Sequence, residues 1–190
     1  ALGIPPRKTQ RIYNALRFPP ALPRPAVERR VDRVFFAGQI IPVKGLDLLL
    51  EAVALLNRRG VAVTLSVAGD IDGWTLPEYR SFRDALRARA AEPDLAGRVE
   101  FLGWREDIPD LMASAGVHCT PSRLEQREAF GLVNLEAKRA GVPSVVFPSG
   151  ALAEVIAHRE DGWVCDEVSA KALADGLAYF LTDAARRESA

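Results

Sequence analysis

Residues 33–70 read RVFFAGQIIPVKGLDLLLEAVALLNRRGVAVTLSVAGD, and the fold is decided by how this stretch changes its rhythm. Val34-Phe35-Phe36-Ala37 is an unbroken apolar run stopped by Gly38, the pattern of a buried strand. From Leu46 to Leu56, Leu, Val and Ala recur at helical spacing. Arg58-Arg59-Gly60 then supplies basic residues followed by glycine, which ends a helix well. Val63 to Ala68 is a second apolar run, closed by Gly69-Asp70. The stretch predicts a strand, a helix and a second strand.

The alternation continues downstream. Residues 77–91, opened by Pro77 and Glu78, predict a polar helix, and Val99 to Leu102 a third strand. Asp107 to Ser114 predicts a short helix, and Val117 to Thr120 a fourth strand stopped by Pro121-Ser122. A helix over 131–140, a strand from Ser144 to Phe147 and a helix from Ala151 to Ala157 follow. Trp163 to Cys165 gives the last strand, and residues 169–182 the last helix. Six strands alternating with helices predict an α/β domain, a Rossmann-like doubly wound parallel sheet with helices on both faces. Ligands bind such sheets at the carboxyl ends of the strands.

Upstream the character is different. Residues 1–30 hold seven basic side chains and one acid, Glu28, with six of the thirteen prolines. Proline restricts its own backbone and its neighbour's, so 1–30 is expected to be a linker or arm, and 31–190 the folded domain. The arm carries +6; because the whole chain is neutral, residues 31–190 carry −6. A length of 190 residues with 48% hydrophobic side chains suits one domain with a real core. Zero net charge speaks against a general nucleic-acid binder. No apolar run approaches the roughly 18 residues of a membrane span. Cys119 and Cys165 have neither disulfide-framework nor zinc-site spacing, so a reducing, cytoplasmic setting is expected. A chain that opens on Ala1 is expected to be part of a longer protein.

The loops after the strands carry the candidate chemistry. The first, Gly38 to Gly45, is neither G-x-G-x-x-G nor a Walker-type P-loop, which removes the main support for a dehydrogenase or an NTPase. No H-E-x-x-H pattern points to a catalytic zinc. Lys44, at the start of a helix, opposes the positive end of the macrodipole and makes sense beside a phosphate. A solvated lysine would sit there at a penalty of only a few tenths of a kcal/mol, about the lower bound for such effects. In the loop after the fourth strand, Glu128 precedes a helix whose unbonded amides begin near Phe130, Gly131 and Leu132. One carboxylate with those donors can grip a polyhydroxylated or phosphorylated ligand; a carboxylate near a helix start is also a common structural feature. Glu136 lies eight residues on, about 12 Å if both were helical, too far for paired glycosidase carboxylates. The spacing suits contacts to two parts of one extended ligand. His118 and His158 read as structural residues, and Trp74, Trp104 and Trp163 as packing residues.

Together these segments resemble the retaining glycosyltransferases of family 4. The resemblance lies in Glu128-x7-Glu136 with Phe130-Gly131-Leu132 between, and in FAGQIIPVKGLDLLLEAVALL (36–56), VEFLGWREDIPDLMASAGVHCTPS (99–122), EAFGLVNLEAKRAGVPSVV (128–146) and SGALAEVIAHREDGWV (149–164). It covers about residues 33–182, in order. It implies a GT-B architecture of two facing Rossmann-like domains, of which this chain is the C-terminal, nucleotide-sugar-binding one. GIPPRKTQRIYNALRF (3–18) resembles the end of the other domain and the linker. The acceptor domain and the end of the returning C-terminal helix would lie outside the chain.

Residue by residue, the resemblance implies that Lys44 contacts the donor diphosphate, in the loop of Gly38 and Gln39. Glu128 would bind sugar hydroxyls with the amides of Ala129, Phe130, Gly131 and Leu132, and Glu136 the ribose. Gly103-Trp104-Arg105 would lie along the base. Lys44 and Glu128 would be the catalytic residues. The family usually has arginine where this chain has Gln39, leaving one formal cation for the diphosphate unless Arg123 or Arg127 folds in. The implied reaction is hexosyl transfer from a nucleoside diphosphate sugar to a glycan or lipid-linked acceptor in cell-surface polysaccharide synthesis. It needs no cofactor and no metal, and would run in the cytoplasm or at the inner face of the membrane. The 190-residue piece is expected to bind donor and transfer nothing. A nucleotide-sugar epimerase of related fold and a non-catalytic sugar-nucleotide-binding module are the alternatives.

Overall fold

The computed structural model describes residues 10, 12, 14, 15, 27–72 and 77–190. Most of the expected proline-rich arm, and Trp74, lie outside the described residues. Six strands form one sheet: β1 (Arg30–Ala37), β2 (Thr64–Ala68), β3 (Val99–Gly103), β4 (Ala115–Thr120), β5 (Ser144–Val146) and β6 (Gly162–Val164). Their order is β3-β2-β1-β4-β5-β6, and every pair is parallel. The helices are α1 (Leu46–Arg58), α2 (Arg80–Ala90), α3 (Ile108–Ala113), α4 (Leu132–Arg139), α5 (Leu152–Val155), α6 (Ala170–Leu181) and α7 (Ala184–Ser189). This is a Rossmann-like α/β domain. The strand order reverses direction at the β1–β4 pair, and a crevice opens outside their carboxyl ends.

β1 shows how the apolar run at 34–36 serves two cores. Val34 and Phe36 point into one cluster with Leu46, Leu49, Leu50 and Val53 of α1 and Leu173 and Leu177 of α6. Phe35, on the opposite face, packs with Met112 of α3 and Ala137 of α4. A strand covered on both faces has no polar side to show, so its sequence does not alternate. α1 ends in its expected turn, with the Arg59 and Gly60 amides bonded to carbonyls of its last residues. Ser169 caps α6, its side chain accepting from the Ala172 amide.

Two elements depart from the sequence expectation. β1 begins at Arg30, with an irregularity in its register on β4 between Arg30 and Val34. α7 is additional: Asp183 caps it, and its buried residue is Arg187, whose guanidinium donates to the Phe180 carbonyl at the end of α6 (2.9 Å). A helix anchored by a buried arginine has no apolar period to announce it. Cys119 and Cys165 are free and buried, and burial pushes the Cys165 thiol up to about 12. No helix of the described residues is long and apolar enough to cross a membrane.

His118 is the fully buried polar centre of β4. Its Nδ1–H donates to the Phe35 carbonyl on β1 (3.0 Å), and Nε2 meets the Thr120 hydroxyl (2.9 Å). Burial lowers its imidazole from 6.5 to about 4, the bond to Phe35 only partly opposing this. The unfolded chain takes up the proton first, so this contribution is whole above about pH 6.5 and is lost on acidification towards pH 4. The expected loss is roughly 3 kcal/mol across that window, measured as urea unfolding free energy against pH. His118→Gln, which keeps a neutral polar group there, should show a shallower slope over the same window; an unchanged slope would exclude His118 as its source.

Candidate functional site

The crevice between β1 and β4 is built from the loops that leave them. Pro42–Lys44 forms one 3-10 turn, with Pro42 in its first turn, and Gly45 ends it at φ 68. Lys44 is therefore the last residue of that turn, immediately before Gly45, which is the N-cap of α1. A side chain at Gly45 would place its Cβ 2.1 Å from the Pro121 carbonyl oxygen, so the two loops touch backbone to backbone there. The Arg123 amide donates to the Val43 carbonyl (2.8 Å) and its Nε to the Pro42 carbonyl (3.2 Å). Its guanidinium also pairs with Asp47 in the first turn of α1. Arg123 thus folds onto the first loop with its charge already matched, while Arg127 is exposed.

This latch brings Lys44 to Glu128. Lys44 Nζ lies 2.6 Å from Glu128 Oε2, with side chains 27% and 15% exposed. The Ser122 hydroxyl donates to the same carboxylate oxygen (3.0 Å). The Glu128 backbone is held too: its amide donates to Ser149 Oγ (3.2 Å), and its carbonyl accepts from the Ala151 amide (3.2 Å). Ser149 Oγ in turn donates to the Arg123 carbonyl (2.8 Å). Gly150, at φ 58, is so close that a Cβ would fall 1.9 Å from the Glu128 carbonyl oxygen. Behind Glu128, Gly131 is the N-cap of α4, and Asn134 of α4 donates its side-chain amide to the Gly131 carbonyl (3.1 Å). Asn134 Oδ1 reaches Thr120 (3.2 Å), which joins the mouth of the site to buried His118.

A cavity of about 490 Å³ at the carboxyl ends of β1, β2 and β3 is lined in part by the start of the loop that carries Lys44 and by α4, the helix that follows Glu128. Gly38, Gln39, Asp70, Trp104, Arg105 and Glu136 line it. Burial pushes the Glu136 carboxyl up from its ordinary value. Arg105 is exposed and clamped on Asp107, with bonds of 2.8 and 2.6 Å. Trp104, expected to pack, is instead 72% exposed at the cavity rim, because the loop after β3 carries it away from the core. Trp163 does pack, between His158 and Tyr179.

The candidate residues therefore fall into two groups. Gly38, Gln39, Arg105 and Glu136 face the cavity, and Lys44 and Glu128 form the ion pair. Ala129 and Leu132 are exposed near the pair, while Phe130 and Gly131 are buried under it. Glu128 lies on a loop and only Glu136 on a helix, so the two-turn estimate of their separation does not apply. Sequence reasoning missed Ser122, Ser149, Gly150, Asn134 and Asp70. Small residues after β5, at Ser149-Gly150, were the available signal. Among the described residues, no group of three or more His, Cys, Asp or Glu side chains could hold a metal ion.

A family model described as "Glycosyl transferases group 1" matches residues 25–190. The chain is 32% identical over 161 residues to a D-inositol 3-phosphate glycosyltransferase of Jonesia denitrificans, covering 83% of this chain and 37% of that protein. It is 33% identical over 156 residues to the lipopolysaccharide core biosynthesis mannosyltransferase LpsB of Rhizobium meliloti, covering 80% of this chain and 42% of that one. The chain thus spans about two fifths of these relatives. Among solved structures, Anabaena HepE in complex with UDP and glucose superposes with a TM-score of 0.74 at 27% identity, over 83% of this chain and 41% of that one. The C-terminal domain of the Francisella tularensis group 1 protein LpcC shares the fold, with a TM-score of 0.72 at 23% identity over 83% of this chain and 78% of that one.

The close approach at Gly150 is testable against a neutral reference. Gly97 also has positive φ (72), with nothing within 4 Å of an added Cβ. Gly97→Ala should cost only the backbone term, about 1–2 kcal/mol. Gly150→Ala must also move the Glu128 backbone and should cost clearly more. Urea unfolding of the two variants measures the difference; equal losses would show that Glu128 is not held by this contact.

Proposed function

Because the chain belongs to the glycosyl transferases group 1 family, we propose that it is the donor-binding, C-terminal half of a retaining GT-B hexosyltransferase using a nucleoside diphosphate sugar. The observation that carries this is the Lys44–Glu128 pair, set at the β1–β4 crevice, with α4 leading from Glu128 to the cavity that Glu136 lines. A cation with a helix N-terminus, a fixed carboxylate and a cavity lined by Trp104, Arg105 and Glu136 match the three parts of such a donor: diphosphate, hydroxylated sugar and nucleoside. The names of its relatives, and UDP with glucose on HepE, agree with that choice of ligand.

The chemical task is to break the bond between the anomeric carbon and the diphosphate, whose oxygen takes the electron pair. Lys44 would meet that growing negative charge, helped by the amides of Gln39 and of Gly131 and Leu132 at the start of α4. Glu128 would orient the sugar through its hydroxyls, its position fixed by Ser122 and by the Ser149–Gly150 turn. Glu136 would bind the ribose within the cavity, and Arg105 and Trp104 would flank the base. No divalent metal has a part in this scheme, since Lys44 and the amides supply the positive field. The acceptor, a glycan or lipid-linked hydroxyl, would be held by a facing domain; a cytoplasmic site, including the inner membrane face, fits the work. Neutral, exposed Gln39 at the cavity rim is the one feature that favours a non-catalytic sugar-nucleotide-binding module.

Calorimetric titration of UDP-, GDP- and ADP-sugars into the chain tests the reading. One of them should bind, and Lys44→Ala should weaken it roughly 10- to 100-fold, the worth of one charge-assisted phosphate contact. Silence from all three would count against a donor site. The same chain should transfer no sugar to an acceptor; measurable transfer would contradict the assignment of the acceptor site to another domain.

A further inference from the structure

Lys44 is the cation proposed for the diphosphate, yet its charge is already matched by Glu128. Its ammonium is 2.6 Å from Glu128 Oε2, within a crevice that leaves the carboxylate side chain only 15% exposed. Arg123, folded onto the same loop, adds no surplus charge, because it pairs with Asp47 and donates to the Pro42 carbonyl, and Arg127 is exposed. A bare diphosphate arriving here must therefore separate Lys44 from a carboxylate and then lie close to that carboxylate.

The two partners differ in mobility. Glu128 is fixed through its backbone amide, its carbonyl and its Ser122 bond, so its carboxylate stays where it is. Lys44 reaches it on a flexible four-carbon stem with three rotatable donors. When an intact sugar nucleotide binds, sugar hydroxyls donate to the Glu128 carboxylate and replace the ammonium, which is free to turn to the diphosphate. When the sugar has left, those hydroxyls are gone and the carboxylate draws the ammonium back.

Resting on the donor-site reading above, we propose that Glu128 is also a release device: it withdraws Lys44 from the diphosphate once the sugar has gone, and so makes the site prefer sugar nucleotide over bare nucleoside diphosphate. The same carboxylate then serves both ends of the cycle, holding the sugar before transfer and weakening the hold on the leaving group after it.

The test is a comparison of Glu128→Gln with the unaltered chain by calorimetry, using UDP with UDP-glucose, GDP with GDP-mannose and ADP with ADP-glucose. Glutamine keeps the shape and removes the charge. The diphosphate that binds should bind about tenfold tighter to the variant, while its sugar nucleotide binds more weakly. In a Lys44→Ala background the same substitution should no longer tighten the diphosphate, since the gain comes through the lysine. General structural damage would weaken both ligands and leave no such coupling. If the unaltered chain binds a diphosphate and Glu128→Gln binds it equally or less well, the release device is wrong and the donor site stands. If no nucleotide binds either form, the donor-site reading itself fails. Circular dichroism checks the fold, and Glu128→Ala replaces the glutamine variant should that one not fold.

Discussion

Everything at the mouth of the sheet depends on the backbone contact between Gly45 and Pro121. The two residues belong to loops that leave β1 and β4, neighbours in the sheet but 76 positions apart in the chain. With no Cβ at position 45, the 3-10 turn of Pro42–Lys44 lies directly on the loop after β4, and Arg123 stitches the two together. That closeness, more than any helix terminus, lets a lysine from one loop meet a glutamate from the other. A side chain at 45 would part the loops and with them the pair.

The second layer of support lies behind Glu128. Ser149 bridges the Glu128 amide to the Arg123 carbonyl, and Gly150 lets the loop after β5 close against the Glu128 backbone. Beneath, His118, Thr120 and Asn134 form a polar chain from the middle of the sheet to the N-cap of α4. Buried polar chains of this kind are costly when broken and rigid when complete. The site is thus a set of side chains on a stiff frame, which Lys44 enters on a flexible four-carbon stem. Two of its cations are paired, Lys44 with Glu128 and Arg123 with Asp47, so under the proposed reading an anion that takes Lys44 must displace Glu128 from it.

The sheet was legible because both its signals are local. Val34-Phe35-Phe36 is apolar throughout as it feeds two cores, and Leu46, Leu49, Leu50 and Val53 repeat at the spacing of one helical face. Lys44 and Glu128 were legible as candidates through the motifs around them. What joins them was not: Gly45 on Pro121 and Ser149 on Glu128 are contacts between distant loops, and no period in the sequence marks them. Trp104 misled for a related reason. An aromatic residue next to a strand usually packs, but Gly103, at φ 69, turns the chain outward just before it. α7 was invisible because an arginine, not an apolar stripe, fastens it.

The central claim is that the loops of Gly38–Gly45 and Glu128–Glu136 form one anion-and-sugar site at the β1–β4 crevice. Amide chemical-shift mapping of the ¹⁵N-labelled chain, titrated with UDP-glucose, GDP-mannose and ADP-glucose in turn, measures this directly. The account predicts that one ligand shifts the amides of 38–45 and 128–136 together with those lining the cavity at 104–105, at a single affinity. Shifts confined to another face of the sheet, or in only one of the two loops, would contradict it.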